Sequence, residues 1–218
     1  SRPTFGTCIC FCGMDKALYI RKLRCVTAAI FLVWIVAQCI VAIHYWGVPQ
    51  YSDAGNYQRL AFQCYSEGTW YPTVAQLNSE PYVINPGYVN YLIIVLNVFG
   101  TLDIVPLFNI VFNAALALTV FLIIRHLAGE VCAHAGVIMY CLIWSNTIIV
   151  ATTMSELLFG LLVYVSIALV RDRWPALLAS GALVAAANYV RPVAVLFVVP
   201  VVAYMFICRF GRRSMISY

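Results

Sequence analysis

The sequence predicts an all-α polytopic membrane protein with about six transmembrane helices and a long first outer loop that carries short interfacial helices. Of its 218 residues, 64% are hydrophobic and only 10% are charged, whereas soluble domains contain about 25% charged residues. Long apolar runs recur along the chain, and about 20 apolar residues are enough to cross a bilayer as a helix. The mean hydropathy of +0.91 agrees with this class.

The first span is predicted over residues 25–46, behind a short basic tail. Residues 1–24 form this tail, which contains four basic residues near the span: Lys16, Arg21, Lys22 and Arg24. The apolar run is too long for the core of a signal peptide and lacks a small-residue cleavage site, so we expect a retained span. Because positive charge stays in the cytoplasm, the tail is predicted to be cytoplasmic, and Tyr45 and Trp46 mark the far interface.

Residues 47–87 form the one long polar connection and are predicted to be the first outer loop. Apolar residues at helical spacing within 56–65 predict a short amphipathic helix on the membrane surface. The apolar run over 88–99 has only about a dozen residues, which favours a re-entrant or interfacial helix over a span. Gly100 ends this run, so no straight helix is expected to continue from it.

Five further spans are predicted, and residues 148–154 are ambiguous between span and loop. These spans cover 104–124, 131–144, 157–170, 174–189 and 192–208. Alternation then places six arginines on the side of the N-terminal tail: Arg125, Arg171, Arg173, Arg209, Arg212 and Arg213. Only Arg59 and Arg191 fall on the other side. This agrees with the positive-inside rule, so both termini are predicted to be cytoplasmic.

The chain is expected to consist of the tail 1–24, one transmembrane domain over 25–213 and a short tail over 214–218. It stops just after a basic run, and we expect it to be part of a longer protein. The net charge of +5 does not indicate nucleic-acid binding, because the basic residues stand at the ends of apolar runs and not along one face.

No metal or other cofactor is predicted, although the sequence leaves a divalent cation open. Three cysteines alternate near the N-terminus, whereas a zinc site normally needs four ligands with C-x₂₋₄-C spacing; they are Cys8, Cys10 and Cys12. The histidines His44, His126 and His134 have no ligand spacing. Each is predicted to be an interfacial or core residue.

Asp53 is the main candidate for a catalytic residue. It lies in the acidic, aromatic stretch Tyr51–Tyr57, directly after the first span. One interpretation is a turn or capping residue at a helix start, where Asp is common. The other is a carboxylate at the membrane surface that acts as a general base. Tyr51, Asn56 and Tyr57 would then line a pocket beside it.

Glu156, Arg191 and Arg59 are the other charged candidates on the predicted outer face. Glu156 begins a span, where it would either stabilise the helix dipole or take part in catalysis. Arg191 and Arg59 would either extend to lipid headgroups or bind a substrate phosphate, for which the guanidinium is well suited. An acid and a cation near Asp53 suit a reaction on a lipid phosphate at this leaflet.

Several motifs in order resemble the GT-C superfamily of membrane glycosyltransferases, which includes protein O-mannosyltransferases and the aminoarabinose transferases of lipid A. They are Asp53 in the first outer loop, Asn85-Pro86-Gly87-Tyr88 followed by Phe99-Gly100, Ser155-Glu156 at a span start, and Gly181 to Arg191-Pro192 followed by Pro200. The resemblance covers about residues 26–213. Members of the family are longer, so the chain would be an N-terminal portion.

The resemblance implies transfer of a sugar from a polyprenyl-phosphate donor to a protein, lipid or glycan acceptor, in a multi-pass protein of a bacterial inner (plasma) membrane. Asp53 and Glu156 would be catalytic, and Arg191 with Arg59 would bind the phosphate. The pocket for the sugar or the acceptor would be lined by Tyr51, Asn56 and Tyr57. The alternatives are a transporter or flippase and a non-catalytic scaffold. A transporter predicts polar residues and broken helices near the membrane centre, whereas the charges here stand at the ends of the spans.

Overall fold

A computed structural model describes residues 16–70, 85–208 and 210, and within these ranges every regular element is helical. This confirms the all-α class for the described part of the chain. The helices are α1 Lys16–His44, α2 Ser52–Glu67, α3 Pro86–Phe99, α4 Val105–Ala128, α5 Glu130–Leu142, α6 Ser145–Ile148, α7 Glu156–Leu169, α8 Trp174–Val190 and α9 Val198–Ile207, with 3₁₀ turns at Ile149–Ala151 and Pro192–Phe197.

Proline and glycine set several of the helix boundaries. Helices α3, α4 and α8 each have a proline within their first two positions, where its missing N–H costs nothing and its fixed φ suits a helix. Helix α3 ends at Gly100, whose φ of +72° lies in the left-handed region that glycine adopts without strain. The chain therefore turns before α4, and the prediction that 88–99 is separate from the next span is confirmed.

Two described helices, α1 and α4, are long and apolar enough to cross a membrane. Helix α5 and the segment Ser145–Ala151 would form a third span, although they are bent by 70° at the break between them. Helices α3, α7 and α8 are apolar but shorter. Helix α7 has 14 residues, and at 1.5 Å per residue it is shorter than a bilayer core of about 30 Å. The predicted count of six spans is therefore not confirmed.

Helix α4 lies at the centre of the bundle and packs against α1, α5 and α7. Helices α7 and α8 form a tightly packed antiparallel pair. At the opposite end of the bundle from the N-terminus of α1, helix α2 lies on α3, and α3 in turn packs on α8. We call this region, where α2, α3, the start of α7 and the end of α8 meet, the α2 end of the bundle.

The break after α5 is closed by amide side chains from the spans. The Asn109 amide donates to the carbonyls of Val150 and Thr152 at 3.1 and 2.8 Å. The Asn113 amide donates to Gln38 Oε1 at 2.9 Å and to the Asn146 carbonyl. A carbonyl freed by a broken helix is costly in an apolar surrounding unless it is paired. The hydrogen bonds of these two asparagines therefore lower the free-energy cost of the break.

In the described part of the outer loop, the helix is longer than the one predicted. The surface helix predicted over 56–65 is confirmed as a helix, and α2 extends it at both ends. Its buried residues Leu60, Ala61 and Cys64 pack on the buried face of α3. Burial raises the pKa of the Cys64 thiol, as expected of a thiol that serves as a small apolar side chain. Residues 71–84, with Glu80 and Tyr82, lie outside the described residues.

Candidate active site

Glu156 and Arg191, which the sequence singles out separately, form an ion pair at the α2 end of the bundle. Arg191 Nη1 donates to Glu156 Oε1 at 2.8 Å. The contact arises because α7 and α8 are antiparallel, so that the first residue of α7 lies beside the residue that follows α8. The two side chains are 33% and 38% exposed respectively. The pair is thus accessible to a ligand.

Local backbone chemistry places Arg191 at this position. Arg191 is the C-cap of α8 and has extended dihedrals of −145° and 125°. It precedes Pro192, and the proline ring disfavours the helical conformation in the residue before it. The helix therefore stops at Val190 and the Arg191 side chain turns towards α7. There its guanidinium carbon also lies 6.0 Å from the centre of the Phe159 ring, within the range of a cation–π contact.

Buried hydroxyl groups lie next to this ion pair. Tyr88 is 1% exposed, and its ring contacts Tyr91 with 5.5 Å between centroids. Among the described residues, the hydroxyls of Tyr88, Tyr91 and Ser155, together with Glu156 Oε2, have no hydrogen-bond partner. Leaving such a group unpaired costs about 1–3 kcal/mol. Buried polar groups normally have a partner, so these atoms are available to pair with water or with a ligand.

The electrostatic surroundings keep the Tyr88 phenol protonated. Burial raises its pKa well above the ordinary value, and the neighbouring Tyr91 and the charge on Glu156 add to the effect. A protonated phenol beside a carboxylate is a hydrogen-bond donor. Tyr88 can therefore donate to a substrate oxygen but cannot act as a base.

Helix α2 brings Asp53 and Tyr57 to the same side of the site. Tyr57 contacts the Tyr88 ring edge-on, with 4.9 Å between centroids. Asp53 precedes Tyr57 by four residues, which places both on one face of the helix. The Gln58 amide donates to the Thr153 hydroxyl at 2.8 Å, which fixes α2 to the segment that precedes Glu156. The Asp53 carboxylate is exposed and has no hydrogen-bond or ion-pair partner among the described residues.

The start of α2 does not use Asp53 as a cap. Tyr51 occupies the N-cap position, no side chain there makes a capping hydrogen bond, and Asp53 lies in the first turn. Ser52 has a φ of +56°, a left-handed conformation that costs a non-glycine residue roughly 1–2 kcal/mol. The capping interpretation of Asp53 is therefore wrong. The negative charge of Asp53 in the first turn can still stabilise the helix through the helix dipole.

The remaining predicted site residues are placed less centrally. Arg59 follows Asp53 by six residues, which turns it roughly 240° around the helix axis. It thus lies about 120° from Asp53 around the helix axis and is exposed. Tyr51 is 80% exposed and Asn56 is half-buried. The structure brings Glu156 and Arg191 together and joins Tyr57 to the neighbouring Tyr88. Asp53 shares a helix face with Tyr57, and Arg59 does not.

Sequence reasoning missed Tyr88 and Tyr91 as site residues, together with the Gln58–Thr153 contact. In the sequence, Tyr88 stands out only as part of the Asn85-Pro86-Gly87-Tyr88 motif. The spacing of Tyr88 and Tyr91 places them on one face of a short helix, but only burial distinguishes them from interfacial tyrosines. The asparagines Asn109 and Asn113 carried a clearer signal, because two amides at four-residue spacing inside an apolar run are rare in spans.

Chemically, the site offers an exposed carboxylate, a guanidinium held by a second carboxylate, and buried hydroxyl donors. Among the described residues, no group of three or more His, Cys, Asp or Glu side chains could hold a metal ion. Comparisons with protein-family models, with curated proteins and with solved structures find no match for the chain. The function must therefore be argued from the geometry of this site and from the motifs in the sequence.

Proposed function

We propose that the chain is the N-terminal part of a GT-C-like glycosyltransferase that moves a sugar from a polyprenyl-phosphate donor to an acceptor at the non-cytoplasmic membrane face. The observation that supports this most is the Glu156–Arg191 pair at the α2 end of the bundle, beside buried and unpartnered hydroxyls. A guanidinium that is charged, partly exposed and fixed in place suits a phosphate leaving group. Two or three spans of suitable length agree with a membrane-bound donor.

In the proposed reaction, the acceptor hydroxyl oxygen attacks the anomeric carbon of the sugar. The bond between that carbon and the lipid phosphate oxygen breaks, and the phosphate leaves with the bonding electrons. Asp53 takes the proton of the acceptor hydroxyl as general base. Arg191 stabilises the charge that develops on the leaving phosphate. No further reactant is needed to balance this step.

The structure refines the role that we propose for Glu156. Its Oε1 holds Arg191 at 2.8 Å, so the guanidinium is oriented before the donor binds. Arg carries five N–H donors, and the contact with Glu156 uses Nη1. The other donors remain to bind phosphate oxygens. Glu156 therefore positions the phosphate-binding residue, and Asp53 is the better candidate for the base.

Tyr88, Tyr57 and the outer helix would form the sugar pocket. Sugars present several hydroxyls to a protein, and the unpartnered hydroxyl groups of Tyr88, Tyr91 and Ser155 can pair with them. The Tyr57 ring rests on Tyr88 and can close one wall. Tyr51 and Asn56, at the start of the same helix, would contact the acceptor.

The test is the variant Asp53→Asn in the complete protein that contains this chain. Asn retains the size and polarity of Asp but cannot accept a proton from a hydroxyl. General-base catalysis contributes about 10²–10⁴-fold, so we expect kcat for sugar transfer to fall by at least about a hundredfold. The amount of inserted protein and its melting temperature should not change, because Asp53 makes no hydrogen bond or ion pair within the described part of the chain.

The matched control is Glu67→Gln, which makes the same carboxylate-to-amide change at the other end of α2. This control should transfer sugar at the wild-type rate. Near wild-type transfer by Asp53→Asn would remove Asp53 from the mechanism. A matching loss in both variants would indicate that the charge of α2, and not a specific base, determines activity.

A transporter or flippase is the second candidate, and the broken span supports it. Helix α5 and the segment Ser145–Ala151 are bent by 70°, and Gln38 and Asn113 are buried polar residues within the spans. Broken helices in transporters use their freed carbonyls to bind a substrate or ion. Here Asn109 and Asn113 already pair with those carbonyls. We therefore favour the glycosyltransferase over a substrate pathway at the break.

A further inference from the structure

A groove of about 450 Å³ lies between α1, α4 and α5, away from the candidate active site. Its walls are mostly apolar and include several alanines, which let the helices leave space between them. Ala28 and Leu118 line it and are exposed, so the groove opens on the side of the bundle. In a membrane this side faces the lipid chains.

His134 lines this groove as an unpartnered polar residue. It is 6% exposed, and neither of its ring nitrogens has a hydrogen-bond partner among the described residues. Its Nε2 lies 3.8 Å from Glu130 Oε1, which is too long for a hydrogen bond. The edge-on contact with Phe121, at 5.1 Å between centroids, orients the ring but satisfies neither nitrogen. A buried imidazole in this state calls for a partner from outside the described chain.

Arg24 lines the groove with a positive charge, and its ion-pair partner Glu130 places a negative charge next to it. Arg24 Nε donates to Glu130 Oε1 at 2.8 Å, and Arg24 Nη2 lies 2.7 Å from the same oxygen. Arg24 is 61% exposed, so it can also contact a ligand at the membrane surface. Thr27, the other polar residue near the mouth, donates its hydroxyl to the Leu23 carbonyl at 2.9 Å and is satisfied within α1.

Glu130 and His134 lie at two different depths along α5. Glu130 begins α5, and His134 follows one turn later, about 6 Å deeper along the helix axis. A glycerophospholipid has the same order of groups, because its charged headgroup lies at the surface, its ester carbonyls lie just beneath, and its tails continue into the apolar core. A neutral imidazole can donate one hydrogen bond to a carbonyl oxygen.

We propose that this groove is a lipid-binding site for a zwitterionic glycerophospholipid with a phosphate and a primary ammonium in its headgroup. Arg24 binds the phosphate, Glu130 attracts the ammonium, and His134 donates to an ester carbonyl. One acyl chain lies along Phe31 and Leu118. The opposite charges of Arg24 and Glu130 favour this headgroup over an anionic one, since Glu130 would repel a second negative charge.

The experiment reconstitutes the full chain in nanodiscs with equal amounts of phosphatidylethanolamine, phosphatidylglycerol and phosphatidylcholine. Lipids that remain bound are then identified by native mass spectrometry. We expect phosphatidylethanolamine to be enriched over the other two. His134→Phe, which keeps a ring of similar size, should lower this retention about three- to tenfold, the effect of one hydrogen bond.

His126→Phe is the matched control, because His126 is exposed and does not line this groove. His134→Gln keeps an N–H donor and should retain the lipid better than His134→Phe. Glu130→Gln should remove the preference for phosphatidylethanolamine over phosphatidylglycerol while the total bound lipid stays similar.

Equal retention of the three lipids by the wild-type protein would overturn the proposal without any variant. Equal lipid retention by the His134→Phe and His126→Phe variants would also overturn it. A mass corresponding to two chains without lipid would assign the groove to a second copy of the protein. Retention that inorganic phosphate displaces would assign the Arg24 site to a free anion.

Discussion

At the scale of single residues, Arg191 combines a structural and a proposed chemical role. It is fixed on one side by Glu156 Oε1 and lies over the Phe159 ring. A partly exposed ion pair contributes at most about 1 kcal/mol to stability. A hydrogen bond from a charged group to a substrate phosphate is worth about 1.5–3 kcal/mol. The chemical role therefore predicts a larger effect on activity than on stability.

The variant Arg191→Lys in the complete protein tests this separation. Lysine keeps the charge but cannot hold Glu156 and a phosphate at the same time through a planar fork. We expect kcat/KM for the lipid-phosphate donor to fall on the order of ten- to a hundredfold, with the melting temperature nearly unchanged. Arg173→Lys, a surface change in the turn between α7 and α8, should have no effect on either quantity. Unchanged donor kinetics would leave Arg191 as a structural residue only.

At the scale of elements, the contact between α3 and α8 determines the shape of the site. Gly87 allows these helices to meet backbone to backbone, because a Cβ there would lie 2.5 Å from the Tyr189 carbonyl oxygen and 2.8 Å from the Val190 nitrogen. The Asn90 amide also donates to the Tyr189 hydroxyl at 2.7 Å. Tyr88 follows Gly87 on α3, and Arg191 follows Val190 on α8. Moving these helices apart would separate the phenol from the ion pair.

Gly87→Ala should therefore destabilise the protein and impair transfer together. The added methyl meets backbone atoms that cannot rotate away, and overpacking of this kind costs about 1–3 kcal/mol. The matched control is Gly160→Ala in α7, where the new Cβ would meet only the Leu116 side chain at an ordinary 3.6 Å. Thermal unfolding in one detergent compares the two. A melting temperature for Gly87→Ala equal to that of Gly160→Ala would contradict the close contact.

Local rules explain which parts of these elements the sequence could predict. Pro86 and Gly100 mark the start and end of α3 by their own backbone preferences, so the separate short helix was predictable. The pairing of Glu156 with Arg191 was not, because it depends on how α7 and α8 pack along their whole length. The capping interpretation of Asp53 failed because α2 begins at Ser52 with Tyr51 as its N-cap, a start that the residue preferences did not indicate.

The same limit applies to His134. Its burial agrees with its predicted role as an interfacial or core residue. Its neighbours were not predictable, since Arg24 lies on another helix and the groove depends on the packing of three helices. Periodicity indicates which face of a helix is apolar. It does not indicate which polar side chains meet across helices.

At the scale of the whole molecule, the orientation in the membrane follows from charge. Described basic residues stand at the end of the bundle opposite α2, including Arg24, Arg125 and Arg171. Arg191 and Arg59 are at the α2 end. The positive-inside rule then predicts that the α2 end, with the candidate active site, faces the non-cytoplasmic side. The proposed six-span arrangement requires the α4–α5 turn and the α7–α8 turn to share the opposite side.

Cysteine labelling tests this orientation on a background that lacks the native cysteines. Single cysteines are introduced at Ala75 in the outer loop, at Ala128 at the end of α4, and at Asp172 between α7 and α8. A membrane-impermeant maleimide added to intact cells should label only position 75, because the other two turns are predicted to face the cytoplasm. All three should react after the membrane is opened, which controls for local accessibility.

Labelling at positions 128 and 172 but not at 75 in intact cells would invert the orientation and place the candidate active site in the cytoplasm. Labelling at only one of positions 128 and 172 would show that α7 and α8 do not cross the membrane as the six-span arrangement requires.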